Sequence, residues 1–178
     1  MQTFDEKDIK NYYDVFNDHD YLQIMKYLSR AKWRYGHGSY RKTDQEYYSS
    51  PPFWIMELNE DEFFSEILFE KIKHIIGKKS SLHSVYANGH MYGTKGRPHQ
   101  DWIDESGLTF LYYPNSKWDI EWGGKTAFIL DRDKYYYRNP QPNSAVLFPG
   151  MIWHYAEETS RLFSGLRTTI AWKIVLEK

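Results

Sequence analysis

The chain contains no cysteine. Disulfide frameworks, zinc-thiolate sites and cysteine nucleophiles are therefore excluded together, and any metal must be held by nitrogen and oxygen ligands. Long apolar runs are missing too. The N-terminal stretch MQTFDEKDIKNYYDVF is charged throughout, without the apolar core or small-residue cleavage site of a secretion signal. An excess of either charge is also lacking: 23 Lys and Arg face 24 Asp and Glu, and the formal charge of −1 gives no general drive toward nucleic acid or anionic membrane. These absences predict a cytoplasmic protein with no nucleic-acid partner and no membrane partner. They leave the oligomeric state open.

What is present in excess is aromatic surface. Aromatic residues make up 19% of the chain, and 16 of them are Tyr. Tyr fills a core while keeping a hydroxyl for a polar partner, which suits a β-rich fold wrapped around a polar cavity. A length of 178 residues suits one domain with a sizeable core. We expect a single domain over 1–178, with 1–80 giving helical support and a lid loop and 81–178 a β core.

Local patterns fill in that outline. Ile9 to Phe16 alternates loosely, Asn17-Asp18 is a helix-cap signal, and Tyr21, Leu22, Ile24, Met25 and Leu28 recur at helical spacing. Gly36 to Pro52 is polar and turn-rich, a loop or loose hairpin of the kind that serves as a lid. Phe53 to Leu58 reads as a strand. Phe63, Phe64, Ile67, Leu68, Ile72, Ile75 and Ile76 form one apolar helical stripe that ends at Gly77. Beyond Ser81 the chain turns to short β-prone runs, at 82–86, 109–113, 126–130, 145–148, 153–157 and 166–176. Asp131 to Arg138 reads as a solvated connection, with a substrate platform as the alternative. Two helices followed by antiparallel strands imply a mainly β sandwich or barrel with supporting helices.

Within the β half lies His99-Gln100-Asp101. On an extended backbone an imidazole and a carboxylate two residues apart leave the same face, so one strand can offer two ligands to a metal ion. The motif is weak alone, since seven His in the chain give about half of one H-x-D by chance. With His154 it would complete a two-histidine, one-carboxylate set, as in non-haem iron(II) oxygenases; zinc, manganese or cobalt would also accept those ligands. Arg167, two residues before Thr169, would add a guanidinium fork and a hydroxyl on one strand face, a receptor for a carboxylate. A surface or salt-bridged Arg is the plainer alternative.

At these residues the sequence resembles the iron(II)- and 2-oxoglutarate-dependent dioxygenases, in the prolyl-4-hydroxylase-like branch. The resemblance runs in order through Tyr86-x-x-Gly89-x-x-Tyr92, His99-x-Asp101, the strand Leu108 to Asn115, Trp118-Asp119, Trp122-Gly123-Gly124, Phe148-Pro149-Gly150, His154 and Arg167-x-Thr169. It implies a double-stranded β-helix (jelly-roll, cupin-like) core. It further implies that His99, Asp101 and His154 hold Fe(II), and that 2-oxoglutarate binds the iron with its distal carboxylate on Arg167. Tyr113, Thr169 and Tyr86 would complete that pocket. Dioxygen is the second co-substrate, ascorbate a candidate accessory reductant, and succinate and CO2 the co-products. Tyr92, Arg97, Tyr40 and Trp122 are candidate substrate-pocket or lid residues. Collagen-type members usually carry Lys where this chain has Arg167.

The implied reaction is hydroxylation of a C–H bond, in a prolyl residue of a peptide or protein. A free amino acid or small metabolite is the alternative substrate, and a non-catalytic cupin-like metal-binding module the alternative class. His83 and His90 fit no ligand position once the three are filled. His19 and His74 read as structural or solvated.

Overall fold

A computed structural model describes residues 3–42 and 47–177, and between 40 and 49 the backbone pairing alone. After a 3-10 turn at Glu6–Asp8 come β1 (Lys10–Tyr12), α1 (Asp18–Leu28), β2 (Arg34–His37), β3 (Tyr40–Lys42), β4 (Tyr47–Ser49) and β5 (Phe53–Glu57). A π-helical stretch, Phe63–Leu68, runs into α2 (Phe69–Ile76). The β half comprises β6 (Ser80–His90), β7 (Gly107–Tyr113), β8 (Thr126–Ile129), β9 (Tyr135–Arg138), β10 (Ser144–Pro149), β11 (Trp153–Ala156) and β12 (Arg167–Leu176), with a 3-10 turn at Ile120–Trp122.

Two sheets form the jelly-roll core. The larger has the order β1-β10-β7-β12-β6-β5-β2, the smaller β11-β8-β9, and β3 pairs with β4 as a hairpin. The N-terminal part is thus more than helical support, because β1, β2 and β5 extend the larger sheet. Side-chain alternation along β12 shows how that sheet divides the interior. Ile170, Trp172 and Ile174 join the core beneath the helices, with Phe64, Leu68, Ile72 and Phe110. Thr169, Ala171 and Lys173 face the other way, into a cavity. A second apolar cluster, including Leu111, Phe128, Phe148 and Ile152, closes the space on the cavity side.

The helices are fixed by local chemistry. The Asn17 side chain caps α1 by accepting from the Asp20 amide at 2.9 Å, and Lys71 of α2 pairs with buried Asp20. Of the predicted stripe, Phe63, Phe64, Leu68 and Ile72 are buried and Ile75 and Ile76 half-buried, whereas Ile67 is exposed and Phe69 takes a buried place instead; the segment ends at Gly77 in the left-handed conformation that glycine adopts without strain (φ 64°). The Trp172 indole donates to the Phe64 carbonyl at 3.0 Å, within the π-helical stretch. This ties the helical layer to β12.

Gly36 to Pro52 holds the expected hairpin, β3–β4, and its start belongs to β2 of the larger sheet, with 43–46 outside the described residues. One expectation shifts. Tyr135 to Arg138 is an edge strand, β9, rather than a connection; the charged run before it conceals the alternation. No helix among the described residues is long and apolar enough to cross a membrane.

Candidate active site

The two histidines meet because their backbones pair. His99 and His154 exchange both backbone hydrogen bonds, at 3.1 and 3.0 Å, as an isolated antiparallel bridge that adds the His99 segment to the edge of β11. Directly opposed residues project to the same face, and the ring centroids lie 4.4 Å apart. Asp101 follows two residues on, its amide donating to Gly150 O at 2.9 Å. Ligand atoms of His99, Asp101 and His154 all lie within 4.8 Å of one another.

The donor set fits a cation. His99 Nδ1 lies 2.9 Å from Arg97 O and His154 Nδ1 lies 2.8 Å from Ile152 O. A carbonyl can only accept, so each ring carries its proton on Nδ1 and, when neutral, turns a lone pair outward from Nε2. Those lone pairs face Asp101 oxygens at 3.5 and 3.3 Å. Lone pairs against a carboxylate repel unless a cation lies between them. Burial, with His154 alongside, pushes the His99 pKa down to about 4, so the ring is neutral at pH 7. Burial would raise Asp101, but the Lys173 ammonium beside it outweighs burial and holds the carboxyl well below its ordinary range.

Beside Asp101 the chain is locked by packing. The Trp102 indole sits against Gly107 and Gly150, where an added Cβ would lie 2.0 Å from it in either case. Trp102 and Asp101 amides both donate to Gly150 O, and the Gly150 amide donates to Gly107 O at 2.9 Å.

The triad opens into a cavity of about 370 Å³. Its floor is made by cross-strand pairs of β12 and β6: Arg167 with His90, Thr169 with Asn88, Ala171 with Tyr86, and Lys173 with Ser84. Arg167 is 1% exposed. Its Nε donates to Gly124 O at 2.5 Å and one terminal nitrogen to Thr126 Oγ1 at 3.0 Å. No carboxylate among the described residues pairs with it, and burial lowers its pKa. Gly124 allows the close approach, since a Cβ there would meet Arg167 Cδ at 3.1 Å. Asn115 fixes the strand start by donating to Leu166 O and accepting from the Thr168 amide, both at 2.9 Å.

Tyr86 and Thr169 line the cavity. Tyr113 does not: it is fully buried and its hydroxyl donates to Thr126 Oγ1 at 2.9 Å. Thr126, which lines the cavity, therefore accepts from both Tyr113 and Arg167, and its own proton is left to donate. Tyr92 is 54% exposed, its backbone bridges to Thr159, and it is not part of the cavity lining. Arg97 lends its carbonyl to His99. Trp122 packs with Trp118 and Phe163, supporting the Gly123-Gly124 turn instead of lining the cavity. The Tyr40 side chain lies outside the described residues.

Three contributors escaped the sequence reading: Thr109, Thr126 and Lys173. Lys173 could have been found by counting alternate positions on from Arg167. His83 and His90 stay out of the triad and form cavity wall. His90 stacks on Phe53 at 4.3 Å, and burial, then Arg167, brings its pKa down to about 3.

No curated protein matches the sequence. A prolyl hydroxylase from Trichoplax adhaerens, solved with a hypoxia-inducible-factor peptide, shares the fold with TM-score 0.68 and 14% identity over 94% of this chain and 83% of that one. A Pseudomonas putida prolyl-4-hydroxylase gives 0.64 and 14%, covering 96% and 94%. HygX from Streptomyces hygroscopicus, solved with nickel, 2-oxoglutarate and hygromycin B, gives 0.64 and 11%, covering 95% and 83%. The model of the 2OG-Fe(II) oxygenase superfamily matches residues 84–171, from the cavity face of β6 to that of β12. With the His-Asp-His geometry, this identifies an oxidoreductase that uses Fe(II), 2-oxoglutarate and dioxygen. The chain belongs to the 2OG-Fe(II) oxygenase superfamily.

Proposed function

We propose that His99, Asp101 and His154 hold the iron, that Arg167 with Thr126 and Thr169 receives the distal carboxylate of 2-oxoglutarate, and that the substrate is a prolyl residue within a peptide or protein. When bound, iron activates dioxygen for oxidative decarboxylation of 2-oxoglutarate and hydroxylation of a C–H bond. The chain's own contribution is to orient the reactants and keep water from the reacting centre.

The observation that carries the choice of substrate is the charge inventory of the cavity. Asp101 and Lys173 neutralise each other, His99 and His90 are uncharged at pH 7, and among the described lining residues Arg167 is the Lys or Arg without a carboxylate partner, which the co-substrate would supply. A free amino acid would bring an ammonium and a carboxylate with no counter-charge among the described residues, which is costly on desolvation. A peptidyl proline is uncharged, and Phe53 and Tyr86 offer its ring apolar surface. The prolyl hydroxylase neighbours support the same reading. HygX, which holds hygromycin B, favours a small-molecule substrate as the second reading.

Mass spectrometry after incubation with Fe(II), 2-oxoglutarate, proline-containing peptides and free proline separates these readings. A gain of one oxygen on peptidyl proline is expected. Oxygen gained by free proline alone would overturn the peptide reading. Absence of succinate across a broad substrate panel would return the chain to the non-catalytic alternative.

A further inference from the structure

Lys173 is 8% exposed and lies on the cavity face of β12, six residues from Arg167. Its ammonium meets Asp101 Oδ2 directly and lies 3.5 Å from Thr109 Oγ1 and 5.7 Å from the centre of the Tyr86 ring. We propose that Lys173 is a built-in cation that stands in for the metal's charge when the site is empty, holding Asp101 and Tyr86 in position and weakening the metal's grip in return. The inference rests on the reading of His99, Asp101 and His154 as metal ligands.

Three observations support it. The Asp101 side chain is 5% exposed, so its carboxylate needs a compensating charge in every state of the protein. Lys173 is the one Lys or Arg side chain touching that carboxylate among the described residues. Second, Oδ2 takes Thr109, at 2.6 Å, and Lys173 while also facing His154 Nε2 at 3.3 Å, whereas Oδ1 faces His99 Nε2 alone at 3.5 Å. Thr109 and Lys173 thus fix the carboxylate through Oδ2 and leave Oδ1 to the His99 side. Third, Asp101, Thr109 and Tyr86 all lie against the ammonium, so its donors are directed into the protein's own groups. Lys173 is a positioning residue, not a binding group.

A divalent ion among the three ligands would lie within a few ångströms of the ammonium and share its carboxylate. Like charges at that range repel, so the tether that keeps the empty site in shape also lowers metal affinity, by roughly tenfold or more at the effective dielectric of a protein site. Lys173 and the metal thus act as competing counter-ions of one carboxylate.

The test compares wild type with Lys173→Met, Lys173→Arg and Thr109→Val. Melting of the metal-free proteins is followed by calorimetry, and Mn(II) affinity by the paramagnetic resonance of free Mn(II). In the Met variant the metal-free melting temperature should fall by about 5 °C or more. Its Mn(II) dissociation constant should tighten by roughly tenfold, and Mn(II) should raise its melting temperature by more than it raises that of wild type. Arg should keep both values near wild type, and Thr109→Val, which removes a neutral donor from the same oxygen, should leave affinity within about threefold. Weaker or unchanged Mn(II) binding by a folded Met variant, or an unaltered metal-free melting temperature, would overturn the proposal. If the Met variant is unfolded without metal, Mn(II) should restore its fold, and failure to do so overturns the proposal as well. Absence of Mn(II) binding by wild type is a different outcome: it removes the metal reading itself and this proposal with it.

Discussion

The two ends of one cavity wall carry opposite solutions to the same problem. β12 buries a cation at each end of its cavity face, Arg167 at 1% exposure and Lys173 at 8%. Lys173 has a carboxylate in contact, so its pKa is raised although burial alone would lower it. Arg167 has only a carbonyl and a hydroxyl, and its pKa is lowered. A buried charge with an internal partner is a structural element. One without such a partner is a receptor for an anion that arrives from outside. Under the proposed assignment, the contrast would let one strand serve the metal at one end and the co-substrate at the other.

The largest expected effect comes from destroying the metal end outright. His99→Ala should lower Fe(II)-dependent succinate formation by about 10³-fold or more, and chelation of the wild-type metal should do the same, since no step proceeds without the ion. Full activity in that variant would end the metal assignment. A milder perturbation of the same end is Gly150→Ala, which drives a methyl into the Trp102 indole. Overpacking there should destabilise the fold by about 1–3 kcal/mol in chemical denaturation and weaken metal binding through the Asp101 backbone.

The Arg167 end is probed by acid. His90 pairs across the sheet with Arg167, and its folded pKa of about 3 lies below the unfolded value near 6.5. Unfolding between those values takes up a proton. The neutral ring's stabilisation is therefore fully present above pH 6.5 and is lost as pH falls toward 3, with a slope of about 1.4 kcal/mol per pH unit. Denaturation of His90→Gln between pH 6 and 4 should show a shallower loss than wild type; an identical slope would contradict the assignment. Smallest is Thr126→Val, which removes one hydroxyl beside Arg167 and should raise the 2-oxoglutarate KM by about three- to tenfold with metal affinity unchanged.

How much of this could be read beforehand follows the range of the interactions. His99 and Asp101 share a face through strand spacing alone, and the helical stripe ending at Gly77 needs only local periodicity, so both were legible. Thr126 was not, because its role depends on Tyr113 and Arg167 arriving from two other strands. For the same reason Tyr113 looked like a pocket hydroxyl when its partner is in the wall. Lys173 was hidden inside the apolar run from Ile170 to Leu176, where β propensity masks a single inward cation. Tyr92 and Trp122 lie outside the cavity lining, and aromatic residues in loops give no register from which that placement could be read.

The division of labour along β12 is tested most directly by calorimetric titration of 2-oxoglutarate into Mn(II)-loaded wild type and Arg167→Gln. Truncating the receptor of a buried charged group removes about 2–5 kcal/mol. The dissociation constant should therefore rise by roughly 10²-fold in the variant while its Mn(II) affinity stays at the wild-type value. Unchanged 2-oxoglutarate binding, or a loss of Mn(II) equal to the loss of 2-oxoglutarate, would contradict the account.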